Sequence, residues 1–174
     1  MVTGGPSSGK TTLLNALQQK GYKTLPEAAR LVIDEGLAQG KTIEQIRANE
    51  QHFQEEVFKR KITVENQLNP NDIIFLDRGI QDTWAYFEEL GFELTSFMYK
   101  PLMKPHYKTV FLLEPLPNFE EDYARTEDRN FTLSITNHLH TAYSRADMTP
   151  IRVPVLSINE RLQFILNYIN KGEA

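Results

Sequence analysis

Near the start of the chain, Gly4-Gly5-Pro6-Ser7-Ser8-Gly9-Lys10-Thr11-Thr12 matches the pattern G-x-x-x-x-G-K-[ST] at each constrained position. No other stretch limits the possible folds as much. Glycines at these positions let the backbone turn tightly enough for successive N–H groups to point inward at a polyphosphate, and the helix that follows adds its positive end. Lys10 is placed to reach β- and γ-phosphates, and Thr11 to set its hydroxyl on Mg²⁺. Thr12 is expected to begin a helix through Leu13, Leu14, Ala16 and Leu17. A turn that only capped a helix would not require Lys and then Thr in that order.

With 174 residues the chain can bury one sizeable core and is short for two, so a single domain over 1–174 is expected. Cysteine is absent, which excludes disulfides and thiolate metal sites and points to a reducing, cytoplasmic setting. A net charge of −4 gives no general footprint for nucleic acid. No stretch approaches the ~18 apolar residues of a membrane span.

Only Met1-Val2-Thr3 precede the loop, so the first strand is either very short or begins upstream of this sequence. Tyr22-Lys23-Thr24-Leu25 reads as a second strand ending at Pro26, followed by a helix from Glu27 through Ile33. Thr42-Ile43-Glu44-Gln45 has the form of a capping box. Ile46, Phe53, Val57, Val64 and Leu68 then predict one long amphipathic helix to Asn69-Pro70, with Glu55, Glu56, Lys59, Arg60 and Lys61 on its solvated face. Ile73-Ile74-Phe75-Leu76 is continuously apolar, as a strand buried on both faces should be, and ends in Asp77-Arg78-Gly79. A helix through Trp84, Ala85, Phe87 and Leu90 stops at Gly91, its aromatic residues facing the core. Lys108 to Leu113 and Ile151 to Val155 read as two further strands, with a helix at about 131–145 between them. Ser157-Ile158-Asn159-Glu160 opens a final helix. Strands alternating with helices throughout predict a three-layer α/β/α fold around a parallel sheet.

Phosphoryl transfer requires phosphates cradled, a cation held, charge neutralised and the attacking oxygen oriented. Carboxyl ends of strands are where ligands of such sheets collect. Asp77 is placed there as a carboxylate for Mg²⁺, and Arg78 either offers its planar fork to a transferred or acceptor phosphate or ties down a loop carboxylate. Glu27, at the end of the second strand, either takes or positions a hydroxyl proton or forms an ordinary surface ion pair with Arg30. Residues 117–131 contain the most charged stretch, in which Arg125 and Arg129 are four apart and suit a lid over the phosphates. The four histidines show no ligand spacing, so no metal beyond Mg²⁺ is expected.

The segments Thr3 to Thr12, Pro26-Glu27-Ala28-Ala29-Arg30, Leu76-Asp77-Arg78-Gly79-Ile80-Gln81-Asp82 and Asp122-Tyr123-Ala124-Arg125-Thr126-Glu127-Asp128 follow one another in a familiar order, ahead of Val153-Pro154 and Arg161. Together they resemble the predicted-ATPase family typified by the nicotinamide riboside kinase domain of NadR, within the P-loop kinase superfamily. That resemblance implies a five-stranded sheet of order 2-3-1-4-5. It also implies Glu27 as the catalytic carboxylate, Asp77 and Arg78 as a metal-and-phosphate pair, and the Arg125 segment as a lid. The activity it implies is transfer of the γ-phosphoryl group of Mg-ATP to the hydroxyl of a nucleoside-like metabolite. Some relatives look like nucleotide-binding regulators that hydrolyse ATP or GTP slowly, which is the alternative reading. A standard GTPase is disfavoured, because the nearest approach to N-K-x-D is Asn170-Lys171-Gly172-Glu173 at the C-terminal end.

Overall fold

Short apolar strands, each sending alternate side chains to opposite faces, build the centre of the molecule. The computed structural model describes residues 1–117 and 129–172. Strands β1 (Val2–Thr3), β4 (Phe111–Leu113) and β5 (Ile151–Val153) form one parallel sheet in the order β1-β4-β5. Strands β2 (Lys23–Leu25) and β3 (Ile74–Leu76) form a parallel pair. Between the two lies a single parallel bridge, Val2 to Asp77, and the Arg78 N–H donates to the Val2 carbonyl at 3.0 Å. Pairing in register sets Val2 opposite Phe111, Phe111 opposite Ile151, and Leu25 opposite Leu76.

Apolar side chains leave the strands on both faces, and each set is covered by helices. Val2, Phe75, Phe111, Leu113 and Val153 pack against Leu13, Leu14 and Leu17 of α1 (Lys10–Gln19) and Leu162 and Ile165 of α8 (Ile158–Gly172). Leu76, Val110 and Leu112 face the other way, toward Ala85 of α5 (Ile80–Leu90) and Ile135, Leu139, Ala142 and Tyr143 of α7 (Arg129–Arg145). Trp84 is half-buried against the same cluster. Gly91 closes α5 in the left-handed region, where the missing Cβ makes a helix stop inexpensive. The Ser157 box opens α8 as expected, with the Ser157 N–H donating to Glu160 at 2.9 Å.

Four details differ from the sequence reading. Helix α1 starts at Lys10, two residues before Thr12. The long helix predicted from Thr42 is two: α3 (Ile43–Ile46) and α4 (Glu50–Glu65). Thr42 and Gln45 do form the capping box, but the chain is re-capped by Asn49, whose side chain accepts from the His52 N–H at 3.0 Å. Periodicity ran through the break because Ile46, like Phe53 and Val57, is apolar for a reason: it packs on Gly36 of α2 (Ala28–Ala38), where a Cβ would lie 2.5 Å from Ile46 Cδ1. Helix α6 (Ser96–Leu102) was not anticipated; it buries Met98 and Leu102 against Phe58, Ile80 and Phe87. The fourth difference concerns Lys61 and belongs to the site.

Candidate functional site

The loop from β1 to α1 closes into a cup. Gly4 takes φ +151° and Gly9 φ +81°, and Ser7 joins them in the left-handed region at φ +53°, strained for a residue with a Cβ. A Cβ on Gly4 would stand 2.8 Å from both the Leu113 carbonyl oxygen and Ser8 Oγ, whereas one on Gly9 would meet nothing nearer than 3.5 Å. Gly4→Ala should therefore cost about 1–3 kcal/mol of stability through crowding added to strain. Gly9→Ala should cost about 1 kcal/mol through strain alone. Urea unfolding of the two variants checks the order.

Inside the cup, Lys10 Nζ donates to the carbonyls of Gly4 at 2.8 Å and Gly5 at 2.7 Å, and to Ser8 Oγ at 3.1 Å. Ser8 Oγ in turn donates to the Gly5 carbonyl at 2.8 Å. From outside, Arg161 of α8 braces the loop, donating to the carbonyls of Ser8 at 2.6 Å, Pro154 at 3.0 Å and Glu114 at 3.1 Å. Arg161 is 2 % exposed, so Arg161→Met would leave three carbonyls short of a charged donor. We expect a loss of about 2–4 kcal/mol, read from the urea midpoint at unchanged slope.

Opposite the loop stand the ends of β2 and β3. Asp77 follows β3, held by its own N–H to the Leu25 carbonyl at 3.0 Å; its carboxylate is buried, and Oδ1 has no hydrogen-bond partner among the described residues. Burial, with the charge of Glu27 added, pushes the Asp77 carboxyl up to about 6 against the pull of Lys10 and Arg78. Arg78 sits at φ +64°, a second strained position beside the loop. Its Nε lies 2.8 Å from Glu27 Oε1 and its Nη1 3.5 Å from Asp82 Oδ1, with the guanidinium 5.1 Å from the Tyr86 ring centroid. Burial alone would raise the proton affinity of Glu27, but Arg78, Lys10, Lys61 and Arg30 outweigh it and hold the group below the usual carboxylate range. Arg30 itself stands 4.0 Å from Glu27 Oε2, its side chain 41 % exposed.

Behind this row Asp82, Glu65 and Tyr107 are hydrogen-bonded. Asp82 accepts from Thr3 Oγ1 at 2.7 Å, from the Gly79 N–H at 3.0 Å and from the Tyr143 hydroxyl. Glu65 accepts from the Tyr107 hydroxyl at 2.8 and 3.0 Å, and that hydroxyl accepts from the Ile80 N–H at 2.7 Å. Burial pushes the Glu65 carboxyl from 4.5 up to about 7, against the hydrogen bond from Tyr107 and the charge of Lys61. Between those two values the native chain holds a proton that the unfolded chain has released, so this residue's contribution to stability declines as pH rises through that window. Unfolding free energies measured at several pH values should fall less steeply from about pH 4.5 to 7 in Glu65→Gln than in the parent.

The charged run predicts Lys61 on the solvated face of a helix, yet it is 5 % exposed. Its spacing held the signal, since position 61 is four residues after Val57 and eight after Phe53, both in the apolar stripe. Glu56, Lys59 and Arg60 do face outward, Lys59 pairing with Glu56 at 2.7 Å and Arg60 with Glu35 at 2.5 Å. Lys61 Nζ instead donates to Thr83 Oγ1 at 3.3 Å and lines a hollow of about 100 Å³ with Glu27, Arg30, Arg78 and Tyr86. A second hollow of about 480 Å³ is lined by Ser7, Glu114, Leu116, Thr132 and Val155. Pro6 borders both, so the loop lies between them.

The structure thus gathers Lys10, Glu27, Asp77 and Arg78, with Gly4 to Gly9 as the wall. Thr11 and Thr12 are exposed in the first turn of α1. Arg129 opens α7, and Arg125 with the rest of the expected lid at 118–128 lies outside the described residues. Among the described residues no three His, Cys, Asp or Glu side chains gather as metal ligands. A cation at Asp77 would take one or two protein oxygens and complete its shell with phosphate and water, which is how Mg²⁺ is usually held. The unpartnered Asp77 oxygen and the glycine-lined cup fit that cation and a polyphosphate. No described helix is long and apolar enough to cross a membrane.

A family model described as AAA domain matches residues 1–161, and the chain belongs to that family. A comparison with curated proteins finds no match. Among the solved structures that share the fold are three kinases. A deoxyadenosine kinase from M. mycoides, with products dCMP and dCDP bound, has a TM-score of 0.63 at 15 % identity over 98 % of this chain and 97 % of that one. Thymidylate kinase from Candida albicans has a TM-score of 0.66 at 15 % identity, covering 99 % of this chain and 90 % of that one. Shikimate kinase from Aquifex aeolicus has a TM-score of 0.55 at 18 % identity, covering 99 % and 96 %.

Proposed function

We propose that the chain is an ATP-dependent kinase acting on a small hydroxyl-bearing metabolite, with the P-loop as its phosphate site and Glu27 as its base. The observation that carries this reading is the meeting of Lys10, Asp77 and the Glu27–Arg78 pair at one loop between two hollows. The wider hollow takes the nucleotide and the narrower one the acceptor. Within the same reading the two sheets act as one of order 2-3-1-4-5, supported by the Val2 to Asp77 bridge. The chain is one cytoplasmic domain, with residues 117–131 as its lid. A nucleoside-like acceptor, as in NadR-type relatives, is the first class to try.

Mg-ATP, when bound, supplies the γ-phosphoryl group: a bond forms between phosphorus and the acceptor oxygen, the bond to the β,γ-bridging oxygen breaks, and ADP leaves. Glu27, ionised at neutral pH by its cationic neighbours, takes the proton of the acceptor hydroxyl. Asp77 and Thr11 hold the cation, and Gly4 to Gly9 present their N–H groups to the phosphates. Lys10 and Arg78 neutralise charge on the transferred group, joined by Arg125 and Arg129 from the lid.

Incubating the protein with Mg-ATP, and in parallel Mg-GTP, against a panel of nucleosides, nucleotides and hydroxy acids tests the reading. Phosphorylated product with at least one acceptor is expected. Slow phosphate release that no acceptor accelerates would contradict it.

A further inference from the structure

Four cations, Arg30, Arg47, Lys61 and Arg78, line the narrow hollow against one lining carboxylate, Glu27. Glu27 is engaged by Arg78 at 2.8 Å. Asp82 is engaged by Thr3, Gly79 and Tyr143, and Glu65 by Tyr107. At the rim, Arg47 is held by Glu50 through two hydrogen bonds of 2.8 Å, and Gln54 donates to the same carboxylate at 2.9 Å. Among the described residues Lys61 has a neutral hydroxyl at 3.3 Å as its hydrogen-bond partner, although it is 5 % exposed. Arg30 has, among the described residues, the 4.0 Å approach to a carboxylate already in use.

The charges of Asp82, Glu65 and Glu27 reach Lys61 without an ion-pair contact, and a buried ammonium with no carboxylate against it is costly where Met or Leu would fill the space. Burial does lower the proton affinity of Lys61, which an arriving anion would restore. The position of the group is informative as well. Lys61, Arg30 and Glu27 line the same hollow, so an anionic group on the first two leaves the third free to face a hydroxyl on the same molecule.

We propose that the acceptor is itself an anion, a small metabolite whose phosphate or carboxylate group is bound by Lys61 and Arg30 while its hydroxyl meets Glu27. This rests on the kinase reading and narrows its substrate class: a neutral nucleoside lacks the group for which the hollow is built. At about 100 Å³ the hollow is below the roughly 300–1,000 Å³ of most ligand pockets, so the rest of the acceptor extends past the exposed Arg30 rim.

Calorimetry on the full chain, saturated with Mg²⁺ and a non-hydrolysable ATP analogue so that the phosphate loop is occupied, tests the proposal. Inorganic phosphate and acetate serve as the probes for the two anion types. We expect one of them to bind. Its affinity should fall about tenfold or more in Lys61→Met, the loss of one charge-assisted contact, and by a smaller factor in the surface variant Arg30→Gln. Phosphate binding alone marks a phosphomonoester acceptor, and acetate binding alone a hydroxy acid. If neither anion binds while the analogue does, or if both variants bind as the parent does, the anionic acceptor is wrong and the kinase reading stands. If the analogue fails to bind, the kinase reading falls, and this proposal with it.

Discussion

Replacing Lys10 with Met should lower the affinity for Mg-ATP by about tenfold to a hundredfold, the value of one charge-assisted contact. Turnover with an accepted substrate should fall by about 10²–10³, as when a single transition-state donor is removed. The side chain has two duties that the variant separates. In the ligand-free protein its ammonium ties together the carbonyls of Gly4 and Gly5 and the hydroxyl of Ser8. Met matches its length but donates nothing, so stability should also drop, by about 1–3 kcal/mol. Lys10→Arg keeps the charge, but its flat fork does not suit three acceptors grouped around one point. Affinity and stability lost in both variants, with more of each lost in Met, is the expected outcome of paired calorimetry and urea unfolding. A Met variant that binds Mg-ATP as the parent does would remove the loop from the mechanism.

Glu27→Gln should lower the rate of transfer by about 10²–10⁴ while leaving Mg-ATP affinity within about twofold, because a general base acts on the acceptor proton and not on the nucleotide. The change also takes a full negative charge from beside Arg78, whose remaining carboxylate contact is Asp82 at 3.5 Å. A loss of about 1–3 kcal/mol in unfolding free energy is expected alongside. The two effects are distinguishable, since destabilisation alone leaves kcat per folded molecule unchanged. Steady-state kinetics well below the unfolding transition that show kcat intact would remove Glu27 from the chemistry.

Much of this was legible in the sequence, for reasons that differ from place to place. The phosphate loop is local: four constrained positions close a turn that needs no distant partner, and the cup at Gly4 to Gly9 follows from them. Ile74–Leu76 and Phe111–Leu113 were readable because strands covered on both faces cannot afford polar residues. Asp77 and Arg78 stood out by following such a strand. What depends on the third dimension was harder to see. That Glu27 meets Arg78, and not mainly Arg30, is decided by the pairing of β2 with β3 in register. The break between Ile46 and Asn49 is a side-chain capping event inside an uninterrupted apolar period. Lys61 was misassigned because a lysine in a charged run reads as solvent-facing, even though its spacing from Val57 put it inward. Arg161 was noticed only as part of a resemblance, since three carbonyl partners from three separate segments leave no local pattern.

The central claim is that the backbone of residues 4–12 cradles a nucleotide's phosphates, and amide NMR tests it most directly. Titrating the isotopically labelled chain with Mg-ATP should move the amide resonances of Gly5 through Thr11 saturably and together, and the same titration of Lys10→Met should leave them nearly still. If those amides stay in place in the parent protein while resonances elsewhere shift, the nucleotide binds somewhere else and the account is contradicted.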